Sequence, residues 1–146
     1  MKKIIFILFS VCFFFGCSNN DSNNNSSTYE YPTRLIARWA TIKEGTLVNN
    51  QEILEDCDCD WGFKFNAAFW SFIERNNNGI FNNPGSADGT WQIVNNDEII
   101  MIYNDSFGSQ TFVFKIKALN STTLKLYGIS STTGDIQDKV YVFNKI

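Results

Sequence analysis

Hydrophobic and polar residues alternate along most of the chain from about residue 35 onward. The clearest segment is residues 111–118 (TFVFKIKA), in which Phe112, Phe114 and Ile116 share one face and the lysines lie on the other. Residues 61–65 (WGFKF) and 123–129 (TLKLYGI) repeat the pattern. A period of two predicts β-strands that bury one face.

Three further segments carry apolar residues on both faces, namely 68–74, 98–103 and 139–146. Such strands are expected to be covered on their outer face as well. Asn- and Gly-rich turns separate the segments, and the Asn-Gly pair at 78–79 suits a type I′ turn. With residues 35–42 and a weaker segment at 46–54, the chain has about eight predicted strands without a crossover helix. The spacing predicts an all-β barrel or sandwich.

The first sixteen residues have the order of a bacterial signal peptide. Lys2 and Lys3 precede an apolar run at 4–16, which ends at Gly16 immediately before Cys17. This order resembles the lipobox of bacterial lipoproteins, in which the signal is removed and the following cysteine receives acyl chains such as palmitate. The resemblance implies lipidation of Cys17. Two or more acyl chains would make anchoring in a membrane stable.

Residues 17–31 form the predicted tether. The stretch after Cys17 is a run of Ser, Asn, Asp and Thr that lacks the apolar surface needed to fold. A flexible segment of about twelve residues reaches on the order of 20 Å, so the folded part is expected close to its membrane. Ser18 follows the lipidated position, and in the lipoproteins that this sequence resembles, a residue other than Asp there permits transfer to the outer membrane. The expected localisation is therefore the cell envelope, at the outer membrane.

The composition of the chain excludes several functional classes. It contains no histidine, which removes the Ser-His-Asp triad, the Cys-His pair and every imidazole metal site. The formal net charge is -3 and the sequence pI is about 4.8, so a basic footprint for nucleic acid is lacking. Loss of Lys2 and Lys3 with the signal makes the mature chain more acidic still.

The order of features in residues 35–146 resembles the lipocalin-like domain found in many lipoproteins of the Bacteroidetes, and we predict that residues 32–146 form this domain. The resemblance rests on LIARW at 35–39, CDCDWGFKF at 57–65, GTW at 89–91 and the closing segments IKALNSTTLKLYGI and DKVYVFNKI. It implies one domain, an up-and-down antiparallel barrel, with Trp39 packed near a closed end. It does not imply an enzyme.

Two cysteines remain in the domain, Cys57 and Cys59. Lipocalin-like domains of this kind often carry a second cysteine just before Gly-Thr-Trp. This chain has no cysteine there, so the partner available to Cys57 is Cys59. An exported protein meets an oxidising environment, which favours a disulfide. Residues i and i+2 of a regular strand lie at or beyond bonding distance, so the bond requires a bend. A disulfide, two free thiols and a redox-active pair all remain open, the last disfavoured because the anionic neighbours raise a thiol pKa.

The stretch that contains these cysteines, residues 55–63 (EDCDCDWGF), can also be interpreted as a metal-binding loop. Asp56, Asp58 and Asp60 have the spacing that opens a calcium loop, but Trp61 and Ala67 stand where an EF-hand needs Gly and Glu. Zinc requires about four nitrogen or sulfur ligands, and two cysteines without histidine fall short. We therefore expect no metal or cofactor and a solvated acidic loop, with weak cation bridging as the alternative.

Aromatic residues supply the candidate ligand site. Those on the inward faces could line an apolar pocket, because eight-stranded barrels can hold one small ligand. Short strands and bulky inward side chains favour a filled interior instead, so a solid barrel acting as a structural or protein-interaction domain is the alternative. The ligand-binding candidates, which include two members of the 61–65 strand, are Trp39, Phe63, Phe65, Trp70, Phe112 and Phe114; Trp61 and Phe72 belong to the same aromatic set.

Catalysis without histidine would need a pair of carboxylates, and Glu74, Asp97 and Glu98 are the available residues. Each lies at a strand end or in a turn, where solvated charges are expected. We therefore predict a non-catalytic, membrane-anchored binding or accessory module for a small hydrophobic ligand, with no nucleic-acid partner.

Overall fold

The computed structural model describes residues 32–83 and 89–146, and this part of the chain is almost entirely β-structure. A single helical turn at 32–35 precedes ten strands. The predicted signal peptide, Cys17 and the tether lie outside the described residues. The strands are β1 Arg38–Val48, β2 Gln51–Asp56, β3 Trp61–Phe65, β4 Phe69–Arg75, β5 Phe81–Asn82, β6 Gly89–Val94, β7 Glu98–Asp105, β8 Gly108–Leu119, β9 Thr123–Ser131 and β10 Lys139–Lys145.

The strands form one antiparallel meander that closes on itself. Its order is β10-β9-β8-β7-β6-β4-β3-β1, and β10 also pairs with β1 from Trp39↔Lys145 to Thr46↔Lys139. Eight of the described strands therefore make a ring, while β2 extends β1 beyond β3 and the two-residue β5 pairs with β4. The predicted up-and-down barrel of about eight strands is confirmed.

Alternation within each strand builds the core. In β8, Phe114 and Ile116 are buried facing inward, and in β9 Leu124 and Leu126 are fully buried on the same inner surface. Successive side chains of a strand point to opposite faces. Every second residue of each strand therefore points into the barrel, and these side chains together form the core.

The outer face of β10 is covered, as expected for a strand with two apolar faces. Val140 and Val142 point outward and yet are 0% and 7% exposed. The hairpin of β1 and β2 explains this burial, because Glu52 on β2 reaches Lys125 and Tyr127 on the outside of β9. The hairpin therefore folds back over the outer surface of the barrel.

A second small cluster lies outside the ring on β4. Ile73 is fully buried there with Ala40 and Phe81. The guanidinium of Arg75 lies 5.1 Å from the ring centroid of Phe81, and an Arg38 nitrogen donates to the Phe81 carbonyl oxygen at 2.5 Å. The short strand β5 is thus fixed to the barrel by packing and by charge.

One end of the barrel is closed by residues 32–39, which comprise the helical turn and the first residues of β1. Leu35, in the helical turn, and Trp39, at the start of β1, are both 0% exposed. The indole Nε1 of Trp39 donates to the Leu35 carbonyl oxygen at 2.9 Å, and the Phe65 amide donates to the Ala37 carbonyl oxygen at 2.9 Å. The β6–β7 and β8–β9 turns lie at this same end, so the interior is sealed there.

The tight type I′ turns use Asn-Asn pairs. Asn49 and Asn50 have φ of 50° and 63°, and Asn95 and Asn96 have φ of 50° and 70°, which are the two positive φ values that a type I′ turn requires. The sequence prediction of this turn at the 78–79 Asn-Gly pair is wrong, because only Gly79 has positive φ there.

Candidate functional site

The open end of the barrel contains an apolar cavity of about 390 Å³. It lies at the end opposite the helical turn, and its walls come from β3, β4, β7, β8, β10 and the loop between β9 and β10. Eight of the ten lining residues that the structure describes are aromatic. The lining residues are Trp61, Phe63, Trp70, Phe72, Glu74, Tyr103, Phe112, Phe114, Ile136 and Tyr141.

Trp61, the first residue of β3, organises one wall. Its ring stacks on Phe72 of the neighbouring strand, with centroids 5.6 Å apart and planes 8° apart. It meets Phe63 and Tyr141 edge-on at 5.5 Å and 5.6 Å. Its Nε1 donates to Glu44 Oε1 at 2.9 Å. These contacts satisfy the polar edge of the indole and fix the ring in the wall.

The facing wall is a second aromatic stack. Tyr103 of β7 lies over Phe112 of β8 with centroids 5.9 Å apart and planes 9° apart. Phe112 in turn stacks on Phe114 at 6.5 Å, and Trp70 meets Phe112 edge-on at 6.4 Å. Strand pairing positions these rings, because Met101↔Phe112 and Ile102↔Thr111 set β7 and β8 side by side.

Besides the two indoles, whose N–H groups already donate to Glu44 Oε1 and to the Ile102 carbonyl oxygen, three described lining residues bring polar groups toward the mouth. Burial raises the pKa of the Tyr141 phenol to about 12, and the carboxylates of Glu44 and Asp135 act in the same direction. Burial also raises the pKa of Tyr103, followed by the charge of Asp105. Both phenols are therefore neutral at physiological pH, and the hydroxyl of Tyr103 donates its hydrogen bond to the carboxylate of Asp105. The third residue, Glu74, is the one charged group among the described lining residues.

Ile136 reaches the cavity from a loop and not from a strand. It is buried although it lies between β9 and β10. A Cβ on Gly128 would lie 1.9 Å from the Ile136 carbonyl oxygen, so the absence of a side chain at residue 128 allows the loop to fold against β9. The isolated glycine within a strand pattern was the available sequence signal for such a close approach.

Four of the six ligand-binding candidates line the cavity, namely Phe63, Trp70, Phe112 and Phe114. The other two do not. Trp39 lies under the helical turn, and Phe65 packs edge-on against Trp91 at 5.4 Å, deep at the closed end. All six point inward, but they lie at two different heights of the barrel.

The prediction of a filled interior is correct for the closed end only. At the open end the aromatic rings lie along the walls, where Trp61 stacks on Phe72 and Tyr103 stacks on Phe112. Rings meet across the interior one step deeper in the barrel, where Phe63 of β3 lies edge-on to Phe114 of β8 with centroids 6.3 Å apart. The cavity remains on the mouth side of this contact, between the two stacks, even though the strands are short.

The acidic segment with two cysteines lies beside this mouth. Cys57 and Cys59 form a disulfide with their Cα atoms 5.0 Å apart, within the usual range. Residues 57–60 have no strand structure and connect β2 to β3, which supplies the bend that the short spacing requires. Glu44 lies close to both sulfur atoms, but disulfide sulfurs lack the thiolate charge that binds zinc.

The three aspartates of this segment bind side chains of the protein itself. Asp56 Oδ1 lies 2.6 Å from Lys43 Nζ. Asp58 and Asp60 share Arg75, at 2.9 Å from Nη1 and 3.6 Å from Nε. Their carboxylates diverge toward two cations, so the described residues provide no convergent calcium site.

The carboxylates considered for glycoside hydrolysis lie apart. Glu74 is at the open end of β4, whereas Asp97 and Glu98 lie at the β6–β7 turn, at the closed end. Asp97 pairs with Lys115 at 3.1 Å, and Glu98 accepts a hydrogen bond from Asn95 at 2.9 Å. Glu74 therefore forms no catalytic pair with either residue.

Comparison with known proteins agrees with this geometry. The family model for the lipocalin-like domain matches residues 35–126, and the chain belongs to that family. A lipocalin-like protein from Bacteroides uniformis has a similar structure, with a TM-score of 0.53 and 17% identity over 77% of this chain and 99% of that one. An uncharacterized protein from Bacteroides eggerthii has a TM-score of 0.50 and 15% identity over the same shares. No curated protein matches at a significant level.

At these identities the structural likeness establishes the fold alone. A lipocalin-like fold supports a binding or accessory module. Within the described residues, no helix has both the length and the apolar character that a membrane crossing needs.

Proposed function

We propose that the protein is a lipid-anchored lipoprotein of the bacterial cell envelope, at the outer membrane, whose barrel binds a small apolar ligand without chemical turnover. The ligand-binding part of this proposal is carried by the cavity of about 390 Å³ at the open end of the barrel, and the anchoring part by the order of residues 2–17. The volume of the cavity falls within the range of about 300–1,000 Å³ that is typical of small-molecule sites.

The character of the cavity supports an apolar ligand. Nine of the ten described lining residues are aromatic or aliphatic, and the polar atoms of Tyr103, Tyr141 and Glu74 are few. A ligand that enters removes its own apolar surface and that of the rings from water, which contributes about 25 cal/mol per Å². The few polar groups would orient the ligand.

The position of the helical turn, through which the predicted tether joins the barrel, supports an arrangement for binding. The helical turn at 32–35 lies at the closed end, so a tether anchored at Cys17 attaches to the barrel on the side opposite the cavity. The mouth then points away from the attachment point, and the short polar tether keeps the domain near the membrane. Ligand could enter without displacement of the anchor.

Ligand binding can be tested on the mature chain, residues 17–146 with Cys17→Ser, by titration with the neutral fluorescent probe N-phenyl-1-naphthylamine. We expect one probe per chain. Phe112→Trp enlarges a wall residue of the cavity and should weaken binding about tenfold or more. Phe107→Trp is the matched control, because Phe107 is 91% exposed at the β7–β8 turn. A wild-type protein that does not bind, or two variants that bind equally, would contradict the proposal and favour a solid barrel.

Anchoring can be tested separately by metabolic labelling with an alkyne analogue of palmitate in a bacterium that lipidates exported proteins. We expect the full chain to incorporate the label and to fractionate with the outer membrane. Cys17→Ser should lose both properties, whereas Cys12→Ser, a cysteine within the predicted signal peptide, should keep them. Unlabelled wild-type protein would remove the anchoring claim and leave the ligand claim intact.

A further inference from the structure

We infer that the cavity selects organic cations, such as quaternary or tertiary ammonium groups with an apolar substituent, over neutral and anionic ligands of the same shape. This inference rests on the proposed function, because it names the ligand class of the same cavity. Two independent features carry it: the aromatic walls, and the carboxylate of Glu74 at the mouth, which has no cationic partner among the described residues.

The walls form an aromatic cage. Rings from five strands surround the cavity, and the π-face of an aromatic ring has negative electrostatic character. Trp61 and Phe72 form one stacked pair, and Tyr103 and Phe112 form the facing pair. A cation within about 6 Å of such a ring is attracted, most strongly where water is excluded and the ring is tryptophan. Neutral and anionic groups do not gain this attraction.

Glu74 places a formal charge at the edge of the cage. It lies two residues after Phe72 on the same face of β4, and its cross-strand partner is Trp61. Among the residues that the structure describes, no lysine or arginine lies within ion-pair distance of it. The adjacent Arg75 is on the opposite face and binds Asp58 and Asp60. The carboxylate of Glu74 is therefore available to a bound cation.

The surroundings of the mouth have the same sign. Glu44 accepts the hydrogen bond of Trp61 Nε1, and its charge together with that of Asp135 contributes to the raised pKa of Tyr141. Lys139 lies in the neighbouring groove, but Glu44 and Glu55 share that groove with it. An anionic headgroup at the mouth would face this negative potential, whereas a cation would be drawn toward it.

A metal ion does not fit the same cavity. Calcium requires about six to eight oxygen ligands, and the described wall offers one carboxylate and two phenols that remain protonated. The apolar rings would have to desolvate the ion without replacing its water. An ammonium group that carries its own methyl groups has a smaller desolvation cost and fits the walls.

The inference can be tested with three compounds of nearly equal size: benzyltrimethylammonium, its neutral isostere neopentylbenzene, and the anion 3-phenylpropanoate. Each is titrated into the mature chain with Cys17→Ser, both by displacement of N-phenyl-1-naphthylamine and by the fluorescence of the wall tryptophans. We expect the cation to bind about tenfold more tightly than its isostere, and the anion to bind most weakly.

Variants separate the two features. Glu74→Gln should weaken the cation about tenfold and leave the neutral isostere unchanged, whereas Glu55→Gln, a charge change at the same end but outside the cavity lining, should affect neither by more than about twofold. Phe72→Leu keeps an apolar wall but removes a π-face, so it should weaken the cation severalfold more than the isostere.

The outcomes distinguish the inference from the proposed function. Equal affinity for cation and isostere, or tightest binding of the anion, would overturn the cation preference and leave the cavity as an apolar site. An equal effect of Glu55→Gln and Glu74→Gln would overturn the assignment of Glu74. If neither the dye nor any of the three compounds binds, both the inference and the proposed function are wrong.

Discussion

The closed end of the barrel gives the sharpest stability prediction, the effect of Leu35→Ala. Leu35 belongs to the helical turn that seals the interior, and it is 0% exposed within the main core. The substitution removes three carbon groups from that core. At about 0.8 kcal/mol for each buried group, the lost transfer free energy is about 2.4 kcal/mol. The void that remains raises the expected loss of unfolding free energy to about 3–5 kcal/mol.

The neighbouring residue provides the control. Ile36 is 43% exposed, so Ile36→Ala should change the free energy of unfolding by less than about 1 kcal/mol. The hydrogen bond from the Trp39 indole is retained in both variants, because it is accepted by the backbone carbonyl of Leu35. The two substitutions are chemically similar and adjacent in the chain, and they differ mainly in burial.

Urea unfolding followed by tryptophan fluorescence measures the effect, with the mature chain carrying Cys17→Ser as the reference. We expect the midpoint of Leu35→Ala to fall strongly at an unchanged slope, and that of Ile36→Ala to stay near the reference. A loss below about 1 kcal/mol for Leu35→Ala, or equal losses for the two variants, would show that the helical turn does not seal the core.

Two further predictions concern a backbone contact and an ion pair. Gly62→Ala should lower the free energy of unfolding in urea by several kcal/mol, because the new Cβ would lie 2.0 Å from the Trp39 carbonyl oxygen. The control Gly79→Ala, in open space at φ of 76°, should lower it by about 1 kcal/mol. Equal losses for the two variants would contradict the close approach at Gly62. The hydrogen bond from Lys125 lowers the pKa of Glu52 below its ordinary 4.5, so the stability that Glu52 contributes is present above pH 4.5 and is lost as the pH falls through the lowered pKa. Thermal melts should accordingly show Glu52→Gln less stable than wild type near pH 7, and the difference should shrink in acid; a difference that is constant with pH would refute the ion pair.

Much of the fold follows from local pattern. The two-residue period identifies which side chains of β3, β8 and β9 point inward, and it identifies β10 as a strand covered on both faces. These features depend only on the alternation of side chains along an extended backbone. The sequence motifs around Trp39 and at residues 89–91 also resemble those of the lipocalin-like family, to which the chain belongs.

The position of each inward-facing residue along the barrel axis, near the open or the closed end, could not be predicted in the same way. Phe63 and Phe65 are two residues apart on one inward face, and only Phe63 lines the cavity. The difference arises from the pairing of β1 with β3 and from the helical turn that closes one end. Those contacts join residues that are distant in the chain, and alternation contains no information about them.

The chain alone determined that aromatic side chains would face the inside of a closed sheet, because the side on which a strand residue points is a local property of the backbone. Only the tertiary structure decided that a cavity would remain among them, because that depends on how rings from different strands stack. Tyr103 stacks on Phe112, Trp61 stacks on Phe72, and Ile136 is brought in by a loop folded against Gly128. Whether such rings meet across the axis or lie along the walls is settled by strand register, which is a property of the whole barrel.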